Sequence, residues 1–311
     1  MEYGVKERRI SAVPPPKSPP RDLKTLVEWR DLLPWQQDNE YIITHYRQAS
    51  SSFVHSIKSI LRLHNETVNI WTHGLGTLAF SLIPSYIYLH PSLLPPRYIS
   101  APKTDLFTLG IFFFSVTVCF LFSTSFHTFM NHSPQIWRLT SHLDHLGIVL
   151  VIWGSTIPNA HFGHYCAPAL QHFYWNFATL CALLCALATL HPRFRTPRGR
   201  KIRVFLYMLL GASAFVPAVH GVILYGYEEQ DLRMGLSRFI GLGVLNGSGA
   251  AIYGARIPER WWPRKFDVWG SSHQIMHVLV MAGAWCYGVG LVRAFEFWNG
   301  DNLGAYRTGK C

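Results

Sequence analysis

Long apolar segments separated by short charged loops are the feature that most constrains this chain. Seven such segments have about the length that crosses a bilayer as a helix. They cover residues 68–89, 105–126, 143–160, 168–190, 202–225, 236–255 and 271–292. Charged residues make up only 14% of the sequence, against about 25% in a typical soluble domain. The sequence therefore predicts an all-α membrane protein with seven transmembrane helices.

The segments outside the spans divide into three predicted regions. Residues 1–50 are rich in proline and predict a largely flexible cytosolic tail. In residues 51–67, apolar side chains recur at helical spacing with basic residues between them, as in Phe53, Ile57 and Leu61. This pattern predicts a short amphipathic helix on the membrane surface before the first span. Residues 293–311 form a short tail on the other side of the membrane.

Positive charge sets the predicted orientation. Of the 28 Lys and Arg residues, 21 fall before the first span or in the loops on that same side. Because cytosolic loops carry an excess of Lys and Arg, the amino terminus is predicted to be cytosolic and the carboxyl terminus outside. The net charge of +11 is explained by this distribution and by anionic headgroups of the inner leaflet, so no nucleic-acid partner is expected.

Polar side chains inside the spans are unevenly placed. Ionisable residues are costly within a membrane, so each is a functional hypothesis. With the predicted orientation, four polar groups all lie in the cytosolic half of the bilayer. They are Glu66, Asn69 and His73 at the first span, Ser123 and His127 in the second, Asp144 in the third, and His273 and His277 in the seventh.

The chemistry that fits this set is zinc binding. Three imidazoles with a carboxylate or a water form a tetrahedral zinc site. The proposed ligands are His127, His273 and His277, and the last two are spaced i, i+4 on one helix face. The segment His-Gln-Ile-Met-His lacks the Glu of the soluble zinc-protease motif, so that class is excluded. Asp144 either ligates the ion directly or holds a water as the fourth ligand.

The remaining polar residues are candidates either for catalysis or for support of the ligands and helix packing. A zinc ion lowers the pKa of a coordinated water toward about 7, and Asp144 is then the candidate general base. Ser123 is placed to hydrogen-bond that water or a substrate carbonyl. His73, Glu66 and Asn69 either support the ligands or serve helix packing, and Glu66 also suits the positive end of a helix.

Several motifs together resemble a known family. The run Leu33 to Gly76, Ser-x-x-x-His at 123–127, Leu-Asp-x-x-Gly-Ile at 143–148 and His-x-x-x-His at 273–277 are similar to those of the progestin and adipoQ receptor family. That family includes adiponectin receptors, fungal Izh proteins and bacterial hemolysin III homologues. The chain departs from it after Asp144, where His145 and Leu146 replace the usual Tyr-Ser.

The resemblance implies a seven-helix fold and a zinc ion held by the three histidines, with Asp144 acting through water. It also implies ceramidase-type amide hydrolysis, as associated with adiponectin receptors, or a link to sterol, lipid and zinc homeostasis, as for Izh proteins. The expected partners are membrane lipids, either ceramide-like or sterol-related, and an extracellular protein ligand.

Two functions follow as hypotheses. The first is a zinc-dependent hydrolase of a ceramide-like lipid amide. The alternative is a membrane receptor or regulator of lipid, sterol and zinc homeostasis in which the zinc is structural. A zinc transporter is less favoured, because no series of acidic residues runs through the membrane centre. The expected location is the plasma membrane or the endoplasmic reticulum.

Overall fold

A computed structural model describes residues 23–90, 101–191, 197–300 and 311. This part of the chain is helical, and its one β-type contact is an isolated antiparallel bridge between Val27 and Tyr46. The α-helices are α1 (Phe53–Ser59), α2 (Thr67–Leu89), α3 (Lys103–Phe129), α4 (Pro134–Gly163), α5 (Pro168–Leu190), α6 (Pro197–Ser213), α7 (Val216–Tyr225), α8 (Tyr227–Met234), α9 (Leu236–Ala255) and α10 (Ser272–Asn299).

Helices lie at all seven positions where the sequence predicts spans. Among the described residues, five segments are long and apolar enough to cross a membrane. They are Lys103–Phe129, Pro134–Gly163, Pro168–Leu190, Lys201–Tyr225 and Ser272–Asn299. The fourth of these covers most of α6 and all of α7, which are separated at Ala214 and Phe215. The predicted first and sixth spans coincide with α2 and α9, and the count of seven spans stays a prediction.

The helices pack mainly against their neighbours in sequence. Contacts join α2 to α3, α3 to α4 and α4 to α5, while α10 packs on α9 and also reaches α2, α3 and α8. Two glycines of α4 allow its close approach to α3. A Cβ at Gly154 would lie 2.2 Å from Oγ of Ser115, and one at Gly147 would lie 3.0 Å from Cα of Cys119. Small residues at such crossings allow two membrane helices to approach closely.

An aromatic core holds the bundle together along α3 and α10. Phe112, Phe120 and Tyr287 are fully buried, and Phe239 of α9 contacts Tyr287 with ring centroids 5.0 Å apart. Buried aromatic rings of this kind contribute through both area and edge-to-face contacts. This core lies between the two polar regions described below.

The amino-terminal region differs from its predicted boundary. Residues 1–22 of the predicted tail lie outside the described residues, but residues 23–50 are folded onto the helices. Leu32, Ile42 and Tyr46 form a small buried cluster there. We call Val27–Ser50 the amino-terminal cap. The helix predicted within residues 51–67 covers only Phe53–Ser59, and Phe53 and Ile57 on it are exposed. Contact of these side chains with a membrane surface stays a prediction.

The carboxyl-terminal region also differs. The last span was predicted to end at residue 292, but α10 continues to Asn299, and Phe295 and Trp298 are buried. The physical reason is that this extension of about two helical turns packs into the bundle rather than leaving it. A disulfide joins Cys166, which follows α4, to Cys311, with 5.2 Å between their Cα atoms. Residues 301–310 of the predicted tail lie outside the described residues.

Candidate metal centre

Three histidines from two helices meet at one end of the bundle. His127 lies near the end of α3, and His273 and His277 lie in the first two turns of α10. One ring nitrogen of each lies within 4.8 Å of the others. Among the described residues this is the one cluster of three or more His, Cys, Asp or Glu side chains that can hold a metal ion.

The donor atoms of the cluster fit a metal. Nε2 of His127 and Nδ1 of His277 are buried and have no hydrogen-bond partner in the protein. Buried polar atoms normally have partners, so unpaired nitrogens that face one another in a cluster suit a bound ligand. Zinc takes imidazole nitrogens in tetrahedral sites, with either a fourth protein ligand or a water. The residues present therefore fit the ion that the sequence predicts.

Glu66 orients one of these histidines. Its Oε2 lies 2.7 Å from Nδ1 of His127. Because a carboxylate accepts, Nδ1 must donate, which leaves the lone pair of Nε2 facing the other two histidines. This is the arrangement by which carboxylates orient metal-binding histidines.

The Glu66 carboxylate is held in turn by two amides. Asn69 donates to Oε2 at 2.7 Å, and Asn65 donates to Oε1 at 3.3 Å. Together with the hydrogen bond from His127, these contacts satisfy the buried carboxylate of Glu66 next to the histidine cluster.

His73 lies beside the cluster rather than in it. Its ring stacks on that of His277, with centroids 3.7 Å apart, and on Phe120 at 4.6 Å. The stack fixes the ring plane of His277. Tyr253 of α9 contacts His273 edge to face, with centroids 4.7 Å apart.

The two candidate catalytic residues, Asp144 and Ser123, differ in their exposure. Asp144, on α4, is partly exposed and interacts electrostatically with His273. It makes no direct hydrogen bond to a histidine of the cluster in the structure. Ser123 is buried on α3, one turn before His127. His273 is also partly exposed, whereas His127 and His277 are buried, so the cluster is open on the side of Asp144 and His273.

Three charged residues near the cluster were missed at the sequence level. Arg47 lies in the cap, and Glu259 and Asp267 lie in the loop between α9 and α10, all with less than a tenth of their surface exposed. The two acids stand in an otherwise basic loop shortly before His273, which is a signal that sequence reading can use. Arg47 offered no such signal, because it lay in the predicted flexible tail.

A second buried polar network lies at the far end of α3. Asp105 accepts hydrogen bonds from His161 at 2.9 Å, Tyr165 at 3.0 Å and Asn299 at 2.9 Å. These contacts join α3, the end of α4 and the end of α10. The His161 ring stacks on Trp175 rather than on another histidine.

Comparison with known proteins identifies the family. Residues 61–288, which are more than half of the chain, match the haemolysin-III related family. The adiponectin receptor protein of Drosophila melanogaster is 38% identical over 266 residues, covering 86% of this chain but 59% of that protein.

Two further relatives are covered over most of their length. The ADIPOR-like receptor IZH2 of Saccharomyces cerevisiae is 32% identical over 274 residues, covering 88% of this chain and 85% of that protein. The heptahelical transmembrane protein 4 of Arabidopsis thaliana is 30% identical over 339 residues, covering 86% and 88%. The chain therefore belongs to the haemolysin-III related family, the progestin and adipoQ receptor group that its sequence motifs resemble.

Proposed function

We propose that this protein is a seven-span membrane hydrolase that uses zinc to cleave a ceramide-like lipid amide. The observation that carries the proposal is the convergence of His127, His273 and His277, the first and last of which each have an unpaired ring nitrogen. The partly exposed carboxylate of Asp144 interacts electrostatically with His273. The same convergence is compatible with the predicted orientation, in which the cluster lies in the cytosolic half of the bilayer.

The three histidines would hold the ion, and Glu66 would keep His127 in the tautomer that binds it. When bound, zinc supplies a Lewis acid for a carbonyl and lowers the pKa of a coordinated water toward about 7. A site with three protein ligands keeps one position open, which is the arrangement of catalytic rather than structural zinc. Among the described residues, the cluster contains three His and does not include Asp144.

Asp144 is the residue that we assign to proton transfer. Amide hydrolysis adds water across the carbonyl carbon and nitrogen, so a proton leaves the water and reaches the departing amine. Asp144 accepts the first proton and returns it to the amine, as general base and then general acid. Ser123, buried one turn before His127, is placed to hydrogen-bond the carbonyl oxygen. The products are a fatty acid and a long-chain amine.

The open side of the cluster suits a lipid substrate. Buried aromatic side chains close the bundle beyond His73 and Phe120, so a substrate approaches on the side where Asp144 and His273 are partly exposed. A headgroup linkage lies near the membrane surface, at the depth predicted for this end of the spans.

A receptor with a structural zinc is the second candidate. It is favoured by the names of the relatives, since the Drosophila protein is called an adiponectin receptor and the yeast protein an ADIPOR-like receptor. In this reading the ion fixes α3 against α10, and an extracellular protein ligand or a sterol-related lipid shifts the bundle. Asp144 would then be a structural charge.

The test uses the full-length protein purified in detergent and loaded with zinc. Asp144→Asn keeps the side-chain shape but removes the base, and the exposed Glu228→Gln serves as a matched control. We expect the variant to retain about one zinc per chain and to release fatty acid from ceramide about 10²–10⁴-fold more slowly, the usual contribution of a general base. The control should hydrolyse ceramide as fast as the wild type.

One outcome would overturn the hydrolase, and another would overturn the role given to Asp144. Zinc-loaded wild type that releases no fatty acid from ceramides of several chain lengths contradicts the hydrolase and favours the receptor. An Asp144→Asn variant with full turnover but a lower melting temperature leaves the hydrolase standing and assigns Asp144 to structure.

A further inference from the structure

The amino-terminal cap contacts the ends of three helices at the metal centre, namely the two that carry the ligand histidines and α2 beside them. It reaches the start of α2, the end of α3 and the start of α10. His45 accepts a hydrogen bond through its backbone oxygen from the Asn65 N–H at 3.0 Å, just before Glu66. The contacts to α3 and α10 involve buried charges.

Arg47 caps the end of α3. Its guanidinium donates to the backbone oxygens of His127 and of Thr128, the latter at 3.0 Å, and to Oγ of Ser59 at 2.8 Å. The last carbonyls of a helix have no partner within the helix, and a cation there also suits the negative end of the helix dipole. Burial lowers the pKa of Arg47 to about 10, so it remains protonated near neutral pH. The backbone of the ligand His127 is thus fixed by a residue of the cap.

Glu259 plays the corresponding role at the start of α10. It is fully buried, and its two oxygens accept from the backbone N–H of Ser272 at 2.8 Å, from Oγ of Ser272 and from the Asn39 side chain at 3.1 Å. Ser272 immediately precedes the ligand His273. Asn39 belongs to the cap, so one carboxylate joins the cap to the ligand-bearing helix.

Two further contacts hold the cap in this position. Asp267 accepts from the backbone N–H groups of Ile43 and Thr44, at 3.1 Å and 2.7 Å. On the other side, Asn131, in the α3–α4 loop, donates to the backbone oxygen of Gln48 at 3.0 Å. A cavity of about 20 Å³, the size of one water molecule, lies between the cap and the site and is bordered by Arg47 and Glu66.

We propose that Arg47 and Glu259 are positioning residues of the metal centre, through which the amino-terminal cap sets the spacing of His127 and His273. This inference rests on the proposed metal-binding function. Arg47 acts through the carbonyl of His127, and Glu259 acts through the N–H of Ser272, so neither touches the ion. Without Arg47 or Glu259 the helix ends stay folded, but the ligand nitrogens of His127 and His273 are no longer held at the spacing that binds the ion.

The experiment measures zinc affinity by chelator competition and the visible absorption of the Co²⁺-loaded protein, both on the full-length chain. Arg47→Met removes the donors while keeping the apolar stem, and Arg47→Lys restores one cation. Glu259→Gln leaves one acceptor oxygen for several donors. The controls are Arg30→Met and Glu40→Gln, since the Arg30 side chain is mostly exposed and pairs with Glu28, and the Glu40 side chain is mostly exposed.

We expect Arg47→Met and Glu259→Gln to weaken zinc binding about 10–100-fold, as loss of a supporting contact usually does, and to change the Co²⁺ spectrum. Arg47→Lys should recover part of the affinity, and the two controls should match the wild type. If both variants bind zinc normally with an unchanged Co²⁺ spectrum, and only the melting temperature of the metal-free protein falls, the cap merely stabilises the fold and the proposal is wrong.

The two proposals fail in different ways. A wild type that binds zinc but does not hydrolyse ceramide contradicts the enzyme and leaves the affinity comparison valid. A folded wild type that binds no zinc overturns both. If Arg47→Met does not fold, Glu259→Gln carries the same test at α10.

Discussion

Two carboxylate–histidine pairs lie near opposite ends of α3, and their surroundings differ. Glu66 meets His127 near one end, and Asp105 meets His161 near the other, with about 33 Å of helix between residues 105 and 127. At the first pair, the far nitrogen of the histidine faces His273 and His277. At the second, the far nitrogen is buried beside aromatic rings, and no cluster of three potential metal ligands is found there among the described residues.

The comparison shows two uses of a buried carboxylate. One orients a candidate metal-binding histidine, and the other holds helix ends together. Asp105 receives three hydrogen bonds, two from the end of α4 and one from the end of α10, so its carboxylate is satisfied within the protein. Glu66 also receives its hydrogen bonds, but it directs the free lone pair of His127 toward two further imidazoles. The same type of carboxylate–histidine pair therefore orients a candidate metal ligand near one end of α3 and holds helix ends together near the other.

The largest effect is expected from removing two ligands. His273→Ala/His277→Ala should lose essentially all bound zinc, because one histidine cannot hold the ion. His161→Ala is the matched change at the other pair and should retain about one zinc per chain. Elemental analysis of the purified proteins measures both. If His161→Ala also loses zinc without unfolding, the distinction between the two pairs is wrong.

Asp105→Ala should cause the next largest effect, on stability. It removes the acceptor shared by His161, Tyr165 and Asn299, and a hydrogen bond to a charged group contributes about 1.5–3 kcal/mol. We expect a clearly lower melting temperature in detergent and no change in zinc per chain of the folded fraction. Asp105→Asn, which keeps one acceptor oxygen, should lose less. A wild-type melting temperature for Asp105→Ala would contradict the conclusion that this network holds the helix ends together.

Glu66→Gln should weaken zinc binding about 10–100-fold, which corresponds to about 1.4–2.7 kcal/mol. The amide can still hydrogen-bond His127, but without a negative charge it no longer increases the basicity of the ring. Chelator competition gives the affinity. Unchanged affinity would show that Glu66, like Asp105, serves packing alone.

Asn69→Ala should give the smallest effect. It removes one donor from Glu66 while Asn65 and His127 remain, and a single hydrogen bond to a charged group contributes about 1.5–3 kcal/mol at most. We expect zinc affinity to fall only a few-fold, and less than in Glu66→Gln. A larger loss than in Glu66→Gln would mean that Asn69 acts on the cluster by another route.

Apolar runs and helical spacing were sufficient to predict the helices and the histidine cluster. His273 and His277 share a helix face by spacing alone, and His127 joins them because the alternating direction of the spans puts all three in one half of the bundle. The same argument puts Glu66 in that half of the bundle, so its contact with His127 could also have been predicted.

Long-range contacts could not be predicted in this way. Asp105 and His161 are 56 residues apart on different helices, and Asn299 lay in a predicted tail, so no local pattern joins them. Arg47 was assigned to a flexible tail because prolines dominate residues 1–22, although residues 23–50 fold. Polar residues whose partners are brought by tertiary packing leave no periodic signal in the sequence.

The disulfide between Cys166 and Cys311 connects the fold to the redox state of its surroundings. Its Cα separation of 5.2 Å is normal for such a bond, and cytosolic thiols are kept reduced. A bond between these cysteines is expected to persist where this end of the bundle faces an oxidising compartment, which is the orientation that the Lys and Arg distribution predicts. Thiol labelling of Cys166 and Cys311 therefore tests the membrane orientation independently of the Lys and Arg distribution.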